Sequence, residues 1–467
     1  SGATLQTQGR FADIEFSSAY IDGADFIGAT LITEGYFSDI EFNGAASADG
    51  TDLSGATLKT EGDHAEISFK YAALTDATLS GAMLQTEGDH ADIHFSYASA
   101  NGADLSDATL RTEGNTADIG FFGATLTDAT LSGATLQTEG YQADIHFSYA
   151  SADGADLTGA TLQTEGDYAD IIFRYATLDQ AALSGATLQT EGGEADIHFT
   201  YASADGADLS RATLRTNGAF SSIIFSGTDL EDATLSGATL QTERDYAAIH
   251  FRYANLDGAD LSDAALRTQG NNAPINFSNA TLADADLSGA TFQTLGSDSG
   301  ISFNAVGLRQ SNLSSTTLET AGEDATISFD AASLDGADLS GATLNTTGQS
   351  ASVTFEEASL QQADLSGATL QTMGSSAGVG FREANLTDAT LSGAVLRTEG
   401  NQADILFNYA SANGADLSGA TLLTEGSFSD IVFYGAAFTD ATLSNATLQT
   451  EGDDAGIYFS YANLDGA

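Results

Sequence analysis

The stretch SGATLQTEGYQADIHFSYASADGADL, Ser132–Leu157, decides the fold, because the chain repeats it from end to end. The phrase S-G-A-T-L-x-T-E-G opens at Ser1 and returns, with small variations, at Ser54, Ser80, Ser106, Ser132, Thr158, Ser184, Ser210, Ser236 and on to Ser444. From Ser54 the step is always 26 residues. The copy starting at Ile27 carries one extra residue near Ala45, and the last copy stops two short. Internal periods of this length mark solenoids and arrays, whose units bury their apolar faces only by stacking. No linker or composition break interrupts the array, so residues 1–467 are expected to form a single elongated repeat domain.

Each copy has two parts. In one, small and large apolar residues recur in steps of five: Ala150-x-Ala152, Ala155-x-Leu157, Ala160-x-Leu162. In the other, Ala143-Asp-Ile145-His-Phe147 alternates apolar with polar, the period of a half-buried strand. Thr138-Glu-Gly140 between them reads as a turn. Frequent Gly, Ser and Thr oppose helix. The repeat therefore predicts an all-β chain, a right-handed parallel β-helix (β-solenoid) of about 18 coils of 26 residues. Coils at the strand spacing of about 4.8 Å would give a rod of roughly 85 Å. Phe16, Phe42, Phe69, Phe95, Phe121, Phe147 and their equivalents to Phe459 would form one interior column. Ile14, Ile40 and Ile67 would form a second, and the Leu5 and Ala3 series complete the core.

The A-D-L-x-G steps at Ala155–Gly159, Ala337–Gly341 and Ala363–Gly367, with the shorter Ala259–Ser262, resemble the pentapeptide-repeat family. The likeness covers about three-fifths of each unit, throughout the chain. It implies a four-sided right-handed β-helix with Ala and Leu pointing inward. The departure is length: the family's coil uses four pentapeptides, and here eleven residues, Gln137 to Phe147 in the quoted copy, would replace one side with a longer strand and its turn.

Composition narrows function. Lys and Arg number 13 against 66 Asp and Glu, a formal net charge of -53. Such a surface repels nucleic acid and anionic membranes and favours cations and basic partners. No apolar run is long enough to span a bilayer. Cysteine is absent, which excludes disulfides and thiolate metal sites. No phosphate-binding loop or dinucleotide fingerprint occurs. Acidic pairs recur in every copy, so none is marked out as a general acid and base, and the chain reads as non-enzymatic.

The acidic residues fall into columns. Asp13, Asp39, Glu66, Asp92, Asp118, Asp144, Asp170 and Asp196 form one; Glu34, Glu61, Glu87, Glu113, Glu139, Glu165 and Glu191 form another. Stacked like charges are relieved by shared cations or raised pKa values. Hard oxygen ligands suit Ca²⁺, so Asp92, Asp118, Asp144, Asp170, Glu87, Glu113, Glu139 and Glu165 are the candidate calcium ligands; a solvated acidic face is the plainer reading. In a third column, Thr78, Asp104, Thr130, Asp156, Ala182, Asp208, carboxylates occupy alternate coils. His94, His146, His198 and His250 also alternate, too far apart to share a metal, and are read as surface side chains. The Thr4 and Thr7 rows, spaced T-L-Q-T, are expected to straddle a bend, unlike the flat T-x-T rows that bind ice. The tract Phe292 to Glu383, where acidic columns thin, is a binding patch or drift.

The array begins and ends in register, so the chain is read as part of a longer array or as a unit that stacks end to end, its partner being itself or neighbouring repeats. The expected role is structural: a fibre, stalk or matrix component at a bacterial cell surface. Alternatives are a DNA mimic acting on a type II topoisomerase, which the family resemblance implies, and an ice- or glycan-binding adhesin.

Overall fold

A computed structural model describes residues 2–44 and 47–467. The extra residue placed near Ala45 lies outside them. The chain divides into two compact units, Ser1–Thr234 and Leu235–Ala467. Each unit is a parallel β-solenoid of 26-residue coils without helix among the described residues.

In the quoted copy the strands are Thr135–Thr138 and Ile145–His146. Each pairs in parallel with its equivalents 26 residues away: Leu136 lies opposite Leu110 and Leu162, and Ile145 opposite Ile119 and Ile171. The second unit repeats this, with Leu370 opposite Leu344 and Leu396. Ala143, Ile145 and Phe147 are buried, while Asp144 and His146 face outward. The alternation expected from the sequence is present, although only two of those residues pair as strand.

The enlarged side is not one longer strand. Thr135–Thr138 is straight, and the chain then turns through Glu139–Gln142 into the short strand. Two contacts impose this. The Thr138 hydroxyl points inward and donates to the Ala143 carbonyl at 2.5 Å. Gly140 has no room for a side chain, since a Cβ there would lie 1.8 Å from the Gly114 carbonyl oxygen. The two threonine rows therefore do not straddle a bend. Successive residues of a strand point to opposite faces, so Thr135 is half-exposed and Thr138 is buried.

The other sides advance in steps of five. At each corner an N–H turns back to the carbonyl three residues earlier: Ala150 to Phe147 at 3.0 Å, Ala155 to Ala152 at 3.1 Å, Ala160 to Leu157 at 3.0 Å. The residue before each donor has positive φ, 59° at Tyr149, 67° at Gly154 and 64° at Gly159. Such turns favour Gly or a short polar residue, which accounts for the recurrent D-G and S-G pairs. Between corners, Ala150, Ala152, Ala155 and Leu157 fill the interior.

The phenylalanine column is continuous within each unit. Ring centroids lie 4.6 to 4.9 Å apart from Phe16 to Phe225 and 4.6 to 5.2 Å from Phe251 to Phe459. Neighbouring rings are nearly parallel. The stacking period equals the strand spacing, so identical residues in register are what the backbone ladder requires.

Candidate functional site

The chemistry-bearing side chains of the first unit lie on the outer faces of its two strands. Asp92, Asp118, Asp144, Asp170 and Asp196 project from just before the short strands. Each accepts a hydrogen bond from the backbone N–H of the equivalent residue one coil on. Asp118 N–H donates to Asp92 at 2.8 Å, Asp144 to Asp118 at 2.8 Å, Asp170 to Asp144 at 2.8 Å and Asp196 to Asp170 at 2.7 Å. The carboxylates thus extend the backbone ladder along a row of side chains. Burial pushes Asp118 and Asp144 up to about 6, against the lowering effect of the donated N–H, and the neighbouring aspartates add to the rise. Asp170 is pushed up to about 7 by burial first, and then by Asp144 and Asp196. Raised pKa values are one of the two reliefs expected from the sequence.

The glutamates balance differently. At Lys59, Gln85, Arg111 and Gln137, the outward residue at the third position of the long strand reaches a glutamate in its own coil and another in the next. Lys59 bridges Glu61 and Glu87 at 2.7 and 2.8 Å. Gln85 bridges Glu87 and Glu113 at 3.2 and 3.0 Å. Arg111 bridges Glu113 and Glu139, and Gln137 bridges Glu139 and Glu165 at 3.3 and 3.1 Å. The column is a chain of carboxylates spaced by donors. That relief was not expected, although x in T-L-x-T-E is repeatedly Gln, Arg or Lys.

The eight candidate calcium ligands do not come together as one set. Among the described residues, no cluster of three ligating atoms within 4.8 Å joins the Glu87–Glu165 series to the Asp92–Asp170 series. The clusters that do form are Glu66, Asp92 and His94, and Asp170, Asp196 and His198. His94 Nε2 lies 2.7 Å from Asp92 Oδ2. His198 Nε2 lies 3.2 Å from Asp196 Oδ2 and 3.1 Å from an Arg174 guanidinium nitrogen, so the guanidinium already occupies that corner.

The histidines are not all surface groups. His198 is 5% exposed, packed between its aspartate and Arg174. Burial lowers the His146 pKa, and Arg174 lowers it further. The column Thr78, Asp104, Thr130, Asp156 stacks in register, and its aspartates serve their own corners: Asp104 accepts from Ser106 N–H at 2.9 Å and Asp156 from Thr158 N–H at 2.9 Å.

A row of tyrosines was not singled out from the sequence. Tyr149, Tyr175 and Tyr201 stack at 5.1 and 5.4 Å with their edges in solvent. The recurrent Y-A pair at one corner, Tyr149-Ala150, Tyr175-Ala176 and Tyr201-Ala202, was the available signal.

In the described coils, five-residue corners with mostly Ala and Leu inward make up three sides, and the two-strand insert makes the fourth. The chain is a β-solenoid whose five-residue corners resemble those of pentapeptide repeats. No family model matches it, and no curated protein does. Among solved structures, this solenoid is similar to HetL, a pentapeptide-repeat protein involved in heterocyst differentiation regulation from the cyanobacterium Nostoc. Identity is 24% over 68% of this chain and 89% of that one, with a TM-score of 0.19. It is similar also to full-length QnrB1, a plasmid-mediated fluoroquinolone resistance protein, at 16% identity over 55% of this chain and 92% of that one, with a TM-score of 0.17. At those scores no function passes across from either protein.

Proposed function

We propose that the protein is a non-enzymatic scaffold, an acidic solenoid serving as part of an extracellular or cell-surface fibre, stalk or matrix. The observation that carries this reading is uniformity. Inward positions are core in coil after coil, and the outward aspartates, glutamates and histidines described above are engaged in ladder, bridge and corner contacts. Catalytic groups are normally held in a concave site with perturbed neighbours and a route for substrate, whereas here the perturbed carboxylates of the first unit form a row.

The test is location. Immunogold labelling of intact cells of the source organism should decorate surface fibres or matrix. Label confined to the cell interior would remove the reading. A second reading, a DNA mimic on a type II topoisomerase, draws on the outward acidic columns, which would attract a basic protein groove. Inhibition of gyrase supercoiling by the purified chain supports it, and no inhibition at moderate salt ends it.

A further inference from the structure

The corner two residues after each column phenylalanine is tyrosine in eight copies and phenylalanine in none. Wherever a ring stands at this corner, it carries a hydroxyl. The corner itself does not need a ring. Its φ is positive, 59° at Tyr149, 56° at Tyr175 and 57° at Tyr201, where glycine avoids the strain that a side chain brings. Gly123 and Gly227 fill the same position on either side, so this row is three rings long.

The three rings face one another. Tyr149 and Tyr175 have centroids 5.1 Å apart and planes 15° from parallel; Tyr175 and Tyr201 lie at 5.4 Å and 17°. They are 57, 47 and 59% exposed, so a reagent in solution reaches each of them. Tyr71 and Tyr97 make a second stacked pair at 5.2 Å and 3°. By contrast, Tyr409 and Tyr434 meet edge to face, at 5.4 Å and 85°.

We propose that the stacked row is an oxidative modification site, where a peroxidase-class oxidant joins Tyr175 to Tyr149 or to Tyr201 as dityrosine. The proposal does not rest on the scaffold reading. Each of two phenols gives up one electron and its hydroxyl proton and becomes a phenoxyl radical. The unpaired electron lies partly on the ring carbons ortho to oxygen, in p orbitals perpendicular to the ring. Stacked rings direct those lobes at each other, and one carbon–carbon bond forms between ortho carbons. Each bonded carbon then loses its proton while each oxygen regains one, which restores both aromatic rings. Two hydrogen atoms leave the pair in all, and one hydrogen peroxide takes them to become two waters. Rings already held one coil apart react with the advantage of an intramolecular step, while the net charge of -53 keeps separate copies apart. A link from Tyr149 to Tyr175 spans 26 residues of a chain without cysteine, and constrains the unfolded state as a disulfide would.

Treating the dilute full chain with a haem peroxidase and hydrogen peroxide tests it. Dityrosine fluorescence should appear while the chain stays monomeric on a denaturing gel. After cleavage at acidic residues, mass spectrometry should find the Tyr175 peptide joined to that of Tyr149 or Tyr201 with the loss of two hydrogens. The edge-on pair Tyr409 and Tyr434 should link severalfold less. Tyr175→Phe keeps a ring in the stack and removes its phenol. It should abolish both links and leave any link between Tyr71 and Tyr97 unchanged, with circular dichroism checking the fold. No link at Tyr175, links only between chains, a Tyr149–Tyr201 link in the variant, or equal linkage of Tyr409 to Tyr434 would overturn the proposal.

Discussion

At the scale of the residue, the aspartate row gives the clearest prediction. Asp118 and Asp144 rise from 3.8 to about 6 on folding. Their folded pKa lies above the unfolded one, so between the two values the native state holds more protons. Their contribution is fully present below about pH 4 and is lost as pH rises toward about 7, about 3 kcal/mol per residue for a rise of about 2 units and less after solvent screening of these partly exposed carboxylates. Thermal melting should therefore show higher stability at pH 4.5 than at pH 7.5. Asp144→Asn keeps the oxygen that accepts the Asp170 N–H and removes the buried charge. It should stabilise the protein by about 1 kcal/mol at pH 7.5 and leave pH 4 unchanged; equal effects at both pH values would contradict this. Thr164 tests the inner row. Its hydroxyl donates to the Ala169 carbonyl at 2.5 Å, and Thr164→Val leaves that carbonyl unsatisfied at a cost of about 1–3 kcal/mol. Chemical denaturation of the variant measures it.

At the scale of the element, stacking sets the cost of change. Phe147 lies between Phe121 and Phe173 at 4.6 and 4.9 Å. Phe147→Ala should cost about 3–5 kcal/mol in urea unfolding. Gly166→Ala should be at least as harmful as ordinary overpacking, about 1–3 kcal/mol, because the new Cβ would meet the Gly140 carbonyl oxygen at 1.8 Å. Backbone cannot withdraw as a flexible side chain can. The interior columns were legible in the sequence, since a 26-residue period and a parallel ladder place Phe on Phe and Leu on Leu. The boundary between the two strands was not. T-L-Q-T reads equally as strand or bend, and the choice depends on the inward Thr138 hydroxyl reaching Ala143, a contact that spacing alone does not specify. The acidic columns were legible as columns, but not how they are balanced. Periodicity shows that Asp144 stacks on Asp118; it does not show that a backbone N–H lies between them.

At the scale of the molecule, the net charge of -53 opposes compactness, and screening relieves it. Raising NaCl from about 0.05 to about 0.5 M shortens the Debye length severalfold and should raise the melting temperature. Donors already separate the glutamates, and backbone N–H groups bond the aspartates, so chelation with EGTA should leave that temperature unchanged. A fall on chelation would show that a divalent cation holds the columns together. Coil-on-coil register underlies every column described, and spin labels test it directly. With no native cysteine, labels can be placed at Gln137 and Gln163, outward residues that face each other on adjacent strands. The account predicts one strand spacing between their Cα atoms, about 4.8 Å, and strong dipolar broadening of the doubly labelled spectrum. A doubly labelled spectrum equal to the sum of the two singly labelled ones would contradict it.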